Sequence, residues 1–321
     1  MVRTALRLRL LILSAIVLGI VGSSSHLFAM PSGAHTLPAV EYWWIWPIGL
    51  FGFCTLMGAL SVLGGVGVGI LFLALVAAFS SIHIDFIRFV ALLLALVSAL
   101  IAAPGLLRRD LANLHLALPP ALCSAFGAAF GSYLGLRLPA ESLYVALGVI
   151  SILVALFPLF SSSVLQPSSA PQDRASILLG MSGIYHDYQG KEAIAWAARK
   201  TPPTLVLFFF AGCLTGLLGF DTGWASVALF NLVMGIPLKI AVGTGKFLSC
   251  FANTSAGWVY FNHGCLIPLL AIPSIAGLLA GSFVAIELHG LVFNQIKLFR
   301  FVAFALLIIA GVKMILKGLL T

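Results

Sequence analysis

Charge is scarce in this sequence: only 8% of its 321 residues are Asp, Glu, Lys or Arg, and the acidic ones number nine. A water-soluble chain of this size needs far more charge on its surface, so the shortage excludes a soluble globular domain. Paired cysteines are also missing. Cys54, Cys123, Cys213, Cys250 and Cys265 include no CxxC and fall in or beside apolar runs, which indicates neither a disulfide framework nor a zinc site. Without a Gly-x-Ser-x-Gly, Walker A or His-Glu-x-x-His pattern, enzyme chemistry has no motif to rest on and no cofactor is implied. The seven histidines show no metal-ligand spacing, and His83 and His263 fall at predicted loops beside helix ends.

What the chain has instead is apolar length. Hydrophobic residues make up 61% of it and the mean hydropathy is +1.15, the composition of an all-α polytopic membrane protein seated in a lipid bilayer. The formal net charge of +8 forms no basic stripe. Most of its Lys and Arg fall between the apolar runs, which reads as membrane topology and excludes nucleic acid as a partner. At the start, Arg3, Arg7 and Arg9 precede an apolar stretch from Leu10 to Val21 and then "SSSHLFA". Residues 1–30 therefore read as a secretory signal with a cleavage site near Ala29 or as an uncleaved signal anchor, and either places residues 31–41 outside.

Ten apolar runs follow, at 43–63, 66–80, 82–103, 114–134, 142–160, 203–219, 223–236, 238–260, 266–287 and 295–316. A straight helix needs about 20 residues to cross a hydrocarbon core of ~30 Å. The runs at 66–80 and 223–236 are too short, and each follows a glycine-rich break, "SVLGGVGVG" (61–69) and "GLLGFDTGW" (216–224). Clustered glycine predicts unwound backbone, which survives at membrane depth only where protein or a cavity satisfies it. With Gly65 set against Gly223, an intramembrane cation follows 23 residues later in each half, Arg88 and Lys246. The small-residue faces "FGAAFGS" (126–132) and "AGLLAGS" (276–282) also correspond. The pattern predicts an inverted repeat of 5+5 transmembrane segments: residues 42–160, a cytoplasmic joint at 161–202, and residues 203–319. Arg108, Arg109, Arg174, Lys191, Arg199, Lys200, Lys239 and Lys297 all fall on the predicted inner side, whereas Arg137, Lys313 and Lys317 fall on the outer side against the rule.

Inverted repeats with paired broken helices build secondary transporters whose substrate lies near the midplane between the repeats. Lys246 lies nine residues beyond Pro237, about 13 Å along a helix. A cation at that depth costs about 2.5 to 3.5 kcal/mol unless paired or wetted. It reads as a contact for an anionic substrate or as a partner of Asp221 joining the halves. Ser249 and Asn253 continue its helical stripe, as either a wall of the site or a packing seam, with Thr244 nearby. Arg88 reads either as a second substrate ligand or as an interfacial cation neutralised by Asp85 three residues before it. Asp221, Asp85 and Glu287 are the candidate coupling or counter-ion carboxylates. Backbone N–H groups at Gly65 and Gly223 complete the predicted anion site.

These residues also carry a resemblance. "GALSVLGGVGVGILF" (58–72), "GCLTGLLGFDTGWASVALF" (212–230), "IPLKIAVGT" (236–244) and "GMSGIYHDYQGKE" (180–192) resemble the TauE/SafE family of sulfite and organosulfonate exporters, also called toluene-sulfonate uptake permeases. The likeness covers roughly residues 48 to 317. It implies an exporter of a small anion such as sulfite or a short organosulfonate, not an enzyme, in a bacterial plasma membrane.

Two other readings stand beside it. Cys54 and Cys213, 11 and 10 residues before Gly65 and Gly223, suit a transmembrane thiol–disulfide carrier if they face each other. A non-transporting subunit of a larger complex is the other, with the joint 161–202 as its docking site. Within the joint, "KEAIAWAARK" (191–200) reads as an amphipathic helix with Trp196 at headgroup depth or as a solvated linker.

Overall fold

The computed structural model describes residues 45–64, 67–80, 82–107, 113–160, 173–186, 193–221, 223–292 and 296–320. The N-terminal segment, Gly65 and parts of the joint lie outside them. The helices are α1 (Ile45–Gly64), α2 (Val68–Phe79), α3 (Ile84–Leu107), α4 (Leu114–Gly135), α5 (Ala140–Phe160), the short α6 (Arg174–Leu178), α7 (Thr201–Leu218), α8 (Gly223–Ala228), α9 (Leu238–Asn262), α10 (Pro268–Val292) and α11 (Ile296–Leu320). A π-helical turn, Leu229–Val233, prolongs α8. Among the described residues each of the ten apolar runs therefore holds a helix.

Among the described residues five helices are long and apolar enough to cross a membrane, within α3, α4, α7, α10 and α11. With α9, a 25-residue helix whose polar stripe lowers its hydropathy, they form the body of an integral membrane protein. The 12-residue α2 rises about 18 Å. All of it from Val68 to Ala78 is buried except Val76, so this helix is apolar all round because it is enclosed by other helices.

Small residues decide which helices touch. A Cβ at Gly127 or Gly131 of α4 would collide with the backbone of Phe209 or Cys213 on α7, and one at Gly212 or Gly216 of α7 with Ser124 or Ala128 on α4. The same relation joins Gly277 and Gly281 of α10 to Phe51 and Thr55 of α1. In both pairs the contacts advance together along the two chains, so the paired helices run in the same direction. Helices α5 and α11 run in opposite directions, Gly148 meeting Gly311 and Glu141 meeting Gly318. Such backbone-to-backbone approach is how helices associate where lipid removes the hydrophobic drive.

The joint departs from expectation. Its described part is a β-hairpin, β1 (Ser182–His186) antiparallel to β2 (Ala193–Ala197), with Gly183 opposite Trp196. Among the described residues the fold is thus helical with one two-stranded hairpin. Trp196 is buried in a cluster with Met181, Phe208, Phe230 and Leu248, so residues 193–197 form neither an amphipathic surface helix nor a solvated linker. Gly183 is small because the Trp196 indole lies where its side chain would be.

Candidate functional site

The site begins where α7 stops. Gly219, at φ +78°, caps α7, and its N–H donates to the Thr215 carbonyl at 2.9 Å. The chain then passes through buried Phe220 to Asp221 and restarts as α8 at Gly223. Asp221 Oδ1 accepts the Gly223 N–H at 3.1 Å, and its Oδ2 lies 3.8 Å from Lys246 Nζ. The Asp221 side chain is 8% exposed and that of Lys246 33%. A Cβ at Gly223 would stand 3.0 Å from Asp221 Oδ2 and 3.3 Å from Ser249 Oγ, so the absent side chain is what admits both groups. Lys246, Asp221, Gly223 and Ser249 are thus brought together. Ser249 Oγ donates to its own helix at Gly245 O (3.1 Å). Lys246 sits about 12 Å into α9.

Arg88 does not join this cluster. It is fully buried, with Nη2 2.8 Å from Asp85 Oδ1. Nη1 donates to Leu217 O at 3.1 Å and points at Gly135 O at 3.4 Å, the closing carbonyls of α7 and α4. The guanidinium lies over the Tyr260 ring, 5.0 Å from its centroid, and Tyr260 donates to Gly216 O at 2.8 Å. Tyr260 is 14 residues beyond Lys246 on α9, about 21 Å of helix rise. Arg88 therefore neutralises two helix C-termini and a carboxylate at the far end of the bundle.

With this geometry in place, the comparisons decide the family. The chain matches the family described as Sulfite exporter TauE/SafE over residues 3–158 and 50–314. It belongs to the TauE/SafE family. No curated protein and no solved structure matches it. TauE/SafE is a family of transporters rather than enzymes.

In this TauE/SafE chain the remaining candidates divide. Thr244 is buried and turned from Lys246; its Oγ1 accepts the Asn113 N–H at 3.3 Å, while Asn113 Oδ1 caps α4 by accepting from Leu116 N–H at 3.1 Å. Thr244 thus fastens the start of α4 to α9. Asp85 is held by Arg88 and lies 3.3 Å from His83 Nδ1. Asn253 is 1% exposed, and neither its amide nitrogen nor its oxygen has a hydrogen-bond partner. The side chain of Glu287 lies outside the described groups. Cys54 packs on Gly277 of α10 and Cys213 on Gly131 of α4, in separate helix pairs, so the facing arrangement a thiol carrier requires is not formed.

The structure also gives partners to the cations that the expected topology leaves on its outer side. Lys317 Nζ donates to Ala77 O (3.1 Å) and Ser80 O (2.9 Å), the open carbonyls at the end of α2, and lies 4.6 Å from the Tyr144 ring centroid. Lys313 lies over Phe79, and Arg137 over Tyr133. These cations are capping and ring contacts. Sequence reasoning missed that role because it depends on which carbonyls end nearby. The hairpin did leave a signal, in the β-branched and aromatic residues of "SGIYH" and "AIAWA".

Proposed function

We propose that this TauE/SafE chain is a secondary carrier, working as an exporter, for a small anion such as sulfite, carried as the hydrogensulfite monoanion, or a short organosulfonate. The substrate binds beside the Lys246–Asp221 pair at the break before α8, between two five-helix repeats of inverted orientation. The observation that carries the reading is that pair: a partly accessible ammonium and a nearly buried carboxylate at a glycine-built break, deep within a helix of a transporter family.

Helix pairing supports the repeat. If α1 to α5 correspond to α7, α8, α9, α10 and α11, the α4–α7 contact maps onto α10–α1, with Gly127 and Gly131 answering to Gly277 and Gly281. The opposed α5 and α11 are then mates across an axis in the membrane plane. Asp221 occupies the α8 N–H that an incoming anion would use, so it is the resident counter-ion that substrate displaces from Lys246. Outward movement of a monoanion is driven by an inside-negative potential, worth about 2.3 kcal/mol per 100 mV, without a coupled ion. That suits an exporter in a plasma membrane.

The test is sulfite flux in proteoliposomes under an imposed potential, native protein against Lys246→Met at equal folded amount. Potential-driven flux in the native protein and its loss in the variant, by about a hundredfold or more, is the expected result. A native protein that moves neither sulfite nor sulfonates, or a Lys246→Met protein with native flux, overturns the reading.

A further inference from the structure

We propose that Asn253 is the specificity-determining contact of the anion site, and that it favours oxyanions that retain one proton, such as hydrogensulfite, over fully deprotonated ones such as organosulfonates. The inference rests on the carrier reading above and deepens it. Asn253 lies seven residues from Lys246 and seven from Tyr260, about 10.5 Å of helix rise from each. At 100° per residue all three share one stripe of α9, so Asn253 stands on it midway between Lys246 and Tyr260, the residue that Arg88 covers.

Its surroundings ask for a ligand. The neighbouring hydroxyls on this and the facing helices are satisfied: Ser249 by Gly245 O, Thr254 by Cys250 O, Ser255 by Ala125 O, Ser124 by Ala121 O and Ser132 by Ala128 O. Asn253 alone among these residues has a polar side chain that is buried with both ends unpaired. A buried amide without partners is a standing cost, and a packing role would have bonded it to a carbonyl or hydroxyl across the seam. The adjacent α9 residues Ala252 and Ala256 pack with Phe89, Leu92 and Ala128 in an apolar cluster that offers no such partner.

The chemistry of the amide narrows the ligand. It presents an NH2 donor and a carbonyl acceptor side by side. An oxyanion with one hydroxyl answers both, accepting at an oxygen and donating through its O–H. A fully deprotonated anion answers only the donor. Charge points the same way: Lys246 and Arg88 are each already paired with a carboxylate, so these groups supply no net positive charge to a dianion.

Hydrogensulfite and methanesulfinate separate the alternatives, being pyramidal monoanions of similar size that differ in a hydroxyl against a methyl. Their flux is measured in proteoliposomes at one mildly acidic pH with the native protein and Asn253→Leu. The native protein is expected to favour hydrogensulfite in flux per KM, and Asn253→Leu to reduce that preference about tenfold or more, methanesulfinate falling less because it loses only the amide's donor. The melting temperature of Asn253→Leu in detergent supplies a second readout and is expected to equal or exceed the native value, because an apolar side chain of similar shape relieves the unpaired amide. Equal loss for both anions with a lowered melting temperature would mean a packing role and overturn the proposal, as would an unchanged preference. If the native protein moves neither anion and neither shifts its melting temperature, the carrier reading fails first and takes this inference with it.

Discussion

The guanidinium of Arg88 lies over the ring of Tyr260, 5.0 Å from its centroid, while Lys246 lies 14 residues earlier on the helix that carries Tyr260. The two intramembrane cations, each 23 residues beyond its glycine break, thus hold opposite ends of one seam. Their burial separates their tasks. Arg88 is fully enclosed and bonded to carbonyls of two other helices, whereas Lys246 is a third exposed and held by one loose ion pair. A cation enclosed by an ion pair, two carbonyls and an aromatic ring suits architecture. A group with one weak partner and access to the outside suits exchange.

Removing Arg88 is therefore expected to act on stability. Arg88→Met leaves the partly buried Asp85 without its cation and the ends of α4 and α7 uncapped, a loss of about 3 kcal/mol. Thermal unfolding in detergent measures it. Arg88→Lys keeps the charge but not the planar fork and is expected to fall between the two. The surviving folded fraction of Arg88→Lys should transport with native KM; a raised KM at native stability would return Arg88 to the substrate site.

Thr244→Val tests a second assignment. The substitution keeps the shape and removes the acceptor of the Asn113 N–H, at a cost of about 1 kcal/mol. Flux per folded molecule and KM are expected to stay native. A changed KM would place the hydroxyl at the substrate.

The same contrast shows what was legible in the chain. Hydropathy located all ten apolar helices, and the glycine breaks located the interruption before α8, because lipid forces backbone pairing into helices and punishes any exception. The small faces at Gly127, Gly131, Gly277 and Gly281 were equally readable, since only missing side chains permit such contact. The tasks of Arg88 and Lys317 were not. Arg88 reaches carbonyls 47 and 129 residues away, and Lys317 reaches Ala77, 240 residues away. Spacing along a chain gives a cation's depth and not its neighbours. Residues 193–197 misled for a different reason: charged flanks suggested a surface helix, but pairing with 182–186 and burial of Trp196 outweighed that local pattern.

Close packing makes a third prediction. Gly131→Val on α4 and Gly281→Val on α10 place side chains where the backbones of α7 and α1 already stand. Each is expected to destabilise the fold by about 1 to 3 kcal/mol or more. If the two halves are mates, the two variants should lose melting temperature by similar amounts, because the interfaces they disrupt are equivalent. Loss in one and not the other would separate the α4–α7 and α10–α1 pairs and weaken the repeat.

The Lys246–Asp221 pair allows the sharpest separation of fold from function. Lys246→Met alone leaves the Asp221 carboxylate with the Gly223 N–H as its remaining partner, and Asp221→Asn alone leaves the ammonium unneutralised. Because Lys246 is partly exposed, each single change is expected to cost only about 1 kcal/mol of stability. The double variant Asp221→Asn with Lys246→Met removes both charges together, so it should recover part of that loss, and a double-mutant cycle of melting temperatures reads the coupling. Flux should not recover with it, since a neutral pair cannot hold an anion. Asp221→Asn alone makes the opposite prediction for binding: with the resident carboxylate gone, substrate no longer competes for Lys246 and the α8 N–H, and the KM for sulfite should fall several-fold. If Asp221→Asn instead raises KM, the carboxylate helps to form the site rather than standing in for the substrate.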